Sequence, residues 1–417
     1  MILARALLGI AFFVVAAWLI SRDRKSFPWR VVIGGVAIQL VVAGVILETG
    51  VGRRFFDGVS AFITQLVSMA VPGAKQVFGS LADPAGPVGF VFAFAGTGLV
   101  VIIFVSALFS VLYHIGVMQV LVWMLAKVMS ATMGLSGGES MAAAANIFMG
   151  QTEAPLVIRP YVAKMTHSEL NALMTGGFAT IAGSVMAVYM GILGDEIAPH
   201  LVTASVMSAP ASFVIAKTIL PERESSATAG RVELKIERSA GNLIEAAANG
   251  TSDGLRLWLN VIAMLIAFIA LVALVNWPLG WLGTQIGVAN LSLATIFSWI
   301  FAPVAWLMGV EGWHDCRLMG SLLGTQVSVN EFVAYQQLKQ ILPSTGNEVV
   351  FESARSAKMA AYALCGFANF SSIGIQLGGI SALAPERKGD LSRLALRAMI
   401  GGAMACWMTA TVAGIFL

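Results

Sequence analysis

Over residues 257–310 the chain carries no aspartate, glutamate, lysine or arginine. A stretch this long without charge has nothing to place against water, and a single membrane crossing takes only about 20 apolar residues. Pro278 and Gly280 lie inside it, and both interrupt helices. We expect them to divide the run into a crossing at 257–277 and an apolar arm at about 291–309. The remainder of the chain has the same character. Of 417 residues, 58% are hydrophobic and 11% charged, against about 25% charged in a soluble domain. So few charges exclude a cytosolic globular enzyme, and so much apolar surface excludes disorder. A net charge of +3 offers no polyanion-binding tail, so no nucleic acid is expected as a partner. The chain belongs in a lipid bilayer.

Cys316, Cys365 and Cys406 form no CxxC pair and read as small buried hydrophobes. His114, His167, His200 and His314 lack ligand spacing, so no zinc or haem site is expected.

Seven further crossings follow from hydropathy, at 2–20, 31–48, 88–113, 170–194, 199–219, 359–382 and 392–417. With 257–277 this makes eight, numbered here as spans 1 to 8 in chain order. Span 1 lacks a small-residue cleavage pattern, so it reads as a retained helix and not a signal peptide. Gly194, Asp195 and Glu196 separate spans 4 and 5, and 221–254 is the one soluble-looking stretch. Residues 53–71 are amphipathic and read as an interfacial helix, a short bundle helix being the alternative. If the N-terminus faces out, most of the 25 lysines and arginines fall inside. They include Arg22, Arg24, Lys25, Arg30, Lys127, Arg159, Lys164, a cluster over 217–256 and another over 387–397. Both termini are then expected outside.

Two segments enter the membrane without the length to cross it. ESMAAAANIFMGQTEAPLVIRP (139–160) has Gly150 at its centre, and MGSLLGTQVSVNEFVAYQQLK (319–339) has Glu331 just past its middle. Both read as re-entrant helical hairpins, allowed at membrane depth where protein or water satisfies the freed backbone. Two ordinary helices with one acidic residue each are the alternative, and a carboxylate at that depth marks a functional site in either case. Each hairpin precedes an interrupted helix, GFATIAGS (177–184) in span 4 and GFANFSSIG (366–374) in span 7. Mid-span glycines and small polar residues let a helix unwind and offer carbonyls, although singly they serve close packing as well. The same order, hairpin then broken helix then intact helix, occurs twice. Three spans separate the hairpins, so the two units face opposite ways, an inverted repeat. The expected fold is an all-α polytopic membrane protein. It has eight transmembrane helices and two re-entrant hairpins in an inverted repeat, with interfacial helices. Such repeats hold substrate and ion sites at their interface, the plan of a secondary transporter.

AAANIFMGQTEAPLVIRPY (143–161), GGFATIAGS (176–184), NEFVAY (330–335) and CGFANFSSI (365–373) resemble the concentrative nucleoside transporter family, in an order that covers the whole chain. The eight-span form is similar to the bacterial branch, which lacks the extra N-terminal helices of animal members. The resemblance implies a homotrimer in a bacterial inner membrane, where the distribution of lysines and arginines puts both termini on the periplasmic side. It further implies a scaffold of spans 1, 2, 3 and 6 and a mobile transport domain that carries the site across the bilayer like an elevator. The division is expected at 1–116 (scaffold spans 1–3 with the interfacial helix) and 117–220 (interfacial arm, hairpin 1, spans 4 and 5). It continues with 221–310 (cytoplasmic loop, scaffold span 6, apolar arm) and 311–417 (hairpin 2, spans 7 and 8).

By the same resemblance Gln151, Thr152 and Glu153 match nucleobase-binding positions, and Glu331, Asn369 and Ser372 match ribose-binding positions. Val185 and Phe367 match apolar walls about the base, which Leu257 of span 6 closes from the scaffold side. The chemistry agrees: a carboxylate, an amide and a hydroxyl can bond vicinal hydroxyls, and base faces favour apolar contact. The sodium positions of relatives match Asn146, Thr180 and the carbonyls of Met149 and Ile181, an all-oxygen set suited to a hard cation. Proton-coupled bacterial members resemble this pattern with serine in place of the asparagine, and some members have serine in place of Thr180. The expected activity is sodium-coupled nucleoside import, with a proton symporter as the alternative. An intramembrane enzyme using Glu153 and Glu331 finds no nucleophile, phosphate-loop or metal motif, and no catalytic residue is assigned. A passive channel does not explain two gated hairpins.

Overall fold

The computed structural model describes residues 2–83, 94, 98–194, 197–230, 240–288 and 290–417. Helices are the only extended secondary structure among them. This follows from the solvent, since in lipid every backbone group must be satisfied within its own segment or by protein. The chain opens with α1 (Ile2–Leu19), α2 (Trp29–Glu48), α3 (Gly50–Ser68) and α4 (Ala70–Phe78). α3 buries Gly52, Ser60 and Val67 and half-buries Phe56, Val59 and Ile63, leaving its other face open, as its amphipathic pattern requires. Span 3 appears as α5 (Val101–His114); most of 88–97 lies outside the described residues. Gly116, at φ +92°, then turns the chain by 76° into α6 (Val117–Met133).

The twofold pattern follows. Hairpin 1 descends through α7 (Gly137–Asn146) and returns through two single turns, α8 (Ala154–Val157) and α9 (Arg159–Val162). Span 4 is broken into α10 (His167–Ala179) and α11 (Gly183–Leu193), and α12 (Ala198–Ile219) is span 5. After α13 (Leu243–Ile286), the arm α14 (Leu293–Met308) bends by 113° into α15 (Trp313–Ser328). α15 is the first limb of hairpin 2, and α16 (Glu331–Gln340) is the second. Span 7 is broken into α17 (Ala354–Ala363) and α18 (Phe370–Leu383), and α19 (Lys388–Ala413) is span 8. Both hairpins extend beyond 139–160 and 319–339, because Ser136 caps α7 with Glu139 and the 113° bend starts α15 at Trp313.

The hairpins enter from opposite ends. The base of hairpin 1 is tied to the far end of α12: Lys217 Nζ lies 2.6 Å from Glu139 Oε2, and Gly137 N donates to Thr228 O at 3.0 Å. The base of hairpin 2 lies where the chain starts and finishes. There Arg5 donates to Val310 O (2.8 Å), and Arg355 donates to both Gly309 O (2.9 Å) and Gly414 O.

Three expectations are corrected. Pro278 does not end a crossing: α13 runs through it for 44 residues, about 66 Å at 1.5 Å per residue. A proline removes one donor, and a helix with stable turns on both sides absorbs that loss. The break falls instead at Gly287 and Asn290, both at positive φ. The 221–254 stretch is not wholly loop, since Asn242 caps α13 by accepting from Glu245 N at 2.9 Å; residues 231–239 lie outside the described residues. In span 7 the break covers 364–369, earlier than 366–374, because Asn369 caps α18 and Phe370 is already helical.

Candidate functional site

The two broken helices meet at their breaks. Thr180 leaves α10 in an extended conformation, and its carbonyl accepts from Phe367 N at 3.3 Å. Gly366 is required at this crossing, because a Cβ there meets Phe178 O at 2.6 Å and also the Cys406 sulfur. Each hairpin tip reaches one of the breaks. Phe148 O at the first tip accepts from Gly183 N at 3.0 Å, and Gln326 Nε2 of α15 donates to Gly366 O at 3.1 Å.

Glu331 opens α16 directly after Asn330, whose side chain caps that helix through Val333 N (2.9 Å). Its carboxylate is 5% exposed and accepts from the Tyr189 hydroxyl at 2.8 Å and from Asn369 Nδ2 at 3.0 Å. Asn369 in turn accepts from Ser372 N (2.8 Å) as the cap of α18. Glu331, Asn369 and Ser372 are therefore brought together, with Phe367 two residues before the cap. At the first tip, Gln151 Oε1 accepts from Gln376 Nε2 (3.0 Å), and Thr152 packs against Gly379. α18 thus contributes to both ends of the site. Glu153 folds back over Gly150 and faces a cavity of about 380 Å³. Phe109, Ser110, Ser184, Gly250 and Asp253 line that cavity as well. Val185 is buried at the start of α11, and Leu257 is half-buried on α13, one turn beyond Asp253.

Of the four residues matched to the ion, Asn146 and Thr180 meet at Gly176 of α10. Asn146 ends α7 with its Nδ2 against Gly176, and its Oδ1 is buried without a partner. Thr180 Oγ1 donates to Gly176 O at 3.0 Å. Met149 lies at the first tip, half-buried, and Ile181 in the break, buried. An orphan amide oxygen beside a hydroxyl and unwound backbone is a set of hard donors that a small cation can complete.

Tyr189, Gln376, Gln326 and Asp253 are absent from the sequence-derived set. The first three are polar side chains within apolar spans, the signal that singled out Glu331, but none is charged. Asp253 lies at the end of the soluble-looking stretch, and only the length of α13 brings it to the cavity. Buried charge also proves more widespread than Glu331, whereas Glu153 is exposed at its cavity. Glu139, Glu169, Asp315 and Lys217 are each at most 3% exposed. They act at helix ends, where Glu139 and Glu169 close capping boxes and Asp315 accepts from Glu352 N (2.9 Å) and Ser353 N (3.1 Å).

An inverted pair of hairpins whose polar tips meet two broken helices defines a membrane transporter. Family models described as Na+ dependent nucleoside transporter C-terminus and N-terminus match residues 200–414 and 8–81, and one described as nucleoside recognition matches 97–196. The chain is 42% identical over 412 residues to an uncharacterised transporter of Haemophilus influenzae, covering 99% of this chain and 97% of that one. It is 41% identical to sodium/nucleoside cotransporter 1 of Rattus norvegicus over 98% of this chain and 63% of that one, so it spans under two thirds of that animal relative. The fold matches CNTnw in an inward-facing substrate-bound state with a TM-score of 0.91 at 38% identity, covering 100% of this chain and 98% of CNTnw. A CNTnw variant in an outward-facing state also gives 0.91. The chain belongs to the concentrative, Na+ dependent nucleoside transporter family, a family of multi-pass membrane transporters and not of enzymes.

Proposed function

We propose that the chain is a sodium-coupled nucleoside symporter working by an elevator motion in a bacterial inner membrane. The observation that carries the reading is the Glu331 carboxylate, buried between Tyr189 and Asn369 where the second hairpin tip meets a broken helix. Two donors leave lone pairs on both its oxygens, and a ribose diol can occupy these. Asn369 and Ser372 complete the ribose contacts. Gln151, Thr152 and Glu153 read the base edge, with Val185, Phe367 and Leu257 against its faces. A site built for hydroxyls rejects ligands that lack them, because its own polar groups are then left unpaired.

Sodium is held by Asn146 Oδ1, Thr180 Oγ1 and the carbonyls of Met149 and Ile181. The orphan state of the Asn146 oxygen supports this. One sodium moving inward gains roughly 2.3 kcal/mol per 100 mV of membrane potential. The hairpins with α10, α11, α12, α17, α18 and α19 form the moving body, and α1, α2, α5 and α13 the scaffold. The open apolar surface of α13, including Ile266, Leu274, Trp277 and Trp281, suits lipid and the partner subunits of a homotrimer. Both termini face the periplasm. Proton coupling through Glu331 is the second reading, favoured by a buried carboxylate with no basic partner among the described residues. Calorimetry of uridine and adenosine with the purified protein tests the assignment. We expect binding that tightens with sodium at constant pH; affinity indifferent to sodium would remove the ion from the site.

A further inference from the structure

Another cavity of about 380 Å³ lies at the end of the bundle where the α1–α2 loop, the segment after α12 and the first turns of α10 and α19 converge. It shares no residue with the nucleoside site. Four arginines line it: Arg22, Arg223, Arg393 and Arg397. Arg393 and Arg397 are four apart on α19 and so share a face. Arg22 is held close by its backbone N–H, which donates to Ile219 O at 3.1 Å.

The acidic residues of the lining are already engaged. Glu222 accepts from the Thr166 hydroxyl (2.8 Å) and lies 3.4 Å from Lys217 Nζ. Glu224 is 3.3 Å from His167 Nδ1, and Asp390 accepts from Arg387 Nε at 2.8 Å. Arg223 is paired with Asp23. Among the described residues, the guanidinium groups of Arg22, Arg393 and Arg397 have no hydrogen-bond or ion-pair partner. Three free guanidiniums around one concave space favour an anion, and their planar forks match phosphate oxygens two at a time. The site adjoins the ends of α1 and α12, where apolar helix gives way to charge, and Leu220 and Leu394 provide apolar floor. Basic pockets between helices at this depth suit phosphate headgroups.

We propose that this cavity binds a phosphate-bearing anion, supplied either by the headgroup of an anionic membrane lipid or as free phosphate. The test uses the full-length protein in neutral detergent, with short-chain phosphatidylglycerol, inorganic phosphate and short-chain phosphatidylcholine as probes, read by native mass spectrometry and calorimetry. The chain is expected to retain phosphatidylglycerol in preference to phosphatidylcholine. The double variant Arg393→Gln, Arg397→Gln is expected to bind it at least roughly tenfold more weakly, because each charge-assisted bond contributes more than a factor of ten. Arg393→Lys with Arg397→Lys, which keeps charge and loses the fork, falls between the two. Binding of phosphatidylglycerol that inorganic phosphate does not displace assigns the lipid, and saturation by inorganic phosphate alone assigns the free ion. An unshifted unfolding midpoint shows that the double variant is folded; should it not fold, Arg22→Gln in the exposed loop gives the same reading. Failure of the wild-type chain to bind either probe, or equal binding by wild type and variant, overturns the proposal.

Discussion

At the scale of the residue, the proposed site depends on how Glu331 is held. The Tyr189 hydroxyl and the Asn369 amide fix its two oxygens, and Tyr189 is itself packed against Tyr335, the rings tilted with centroids 4.5 Å apart. Tyr189→Phe keeps that packing and removes one donor, so we expect nucleoside affinity to fall roughly tenfold while the protein stays folded. Glu331→Ala should abolish binding altogether. Calorimetry measures both, and an unchanged affinity in either variant would detach Glu331 from the ligand. Glu331 was legible in the sequence because it falls just past the middle of a membrane segment, whereas the buried Glu139, Glu169 and Asp315 serve at helix ends. Tyr189 was not, since a tyrosine in an apolar helix is an ordinary core residue until its partner is known. Gln376 and Gln326 stayed hidden for a related reason: an amide within a span is tolerated wherever a carbonyl lies nearby, and no local pattern says which carbonyl.

At the scale of the element, the breaks in spans 4 and 7 do the positioning. Their glycines were legible, but their extent was not, because a cap fixes where a helix restarts. Asn369 restarts α18 at once, so the second break ends earlier than its glycine-rich motif suggests. A buried amide oxygen without a partner lies beside each break, Asn146 Oδ1 at the first and Gln326 Oε1 at the second. The crossing itself is tight at Gly366, and Gly366→Ala should destabilise the protein by about 1–3 kcal/mol through overpacking, with weaker nucleoside binding. The control is Gly378→Ala, whose added Cβ meets nothing within 4 Å. Thermal unfolding in detergent compares them; equal midpoints would show that the breaks do not need their close approach.

At the scale of the whole molecule, two hairpins entering from opposite ends were legible from spacing and parity, since an odd number of crossings between two like units inverts the second. The course of α13 was not legible. A proline reads locally as a stop, and only the turns on either side decide whether the helix continues through it. What matters to the site is the other end of α13: its start at Leu243, well ahead of the expected crossing, carries Asp253 on the same rod as Leu257 to the cavity at the first hairpin tip. As proposed, a sodium gradient drives nucleosides inward through this architecture. Uptake of labelled uridine into proteoliposomes tests it, with an inward sodium gradient and equal pH on both sides. We expect accumulation above the external concentration, lost when sodium is replaced by choline. Uptake that ignores sodium and follows an imposed pH gradient would contradict it.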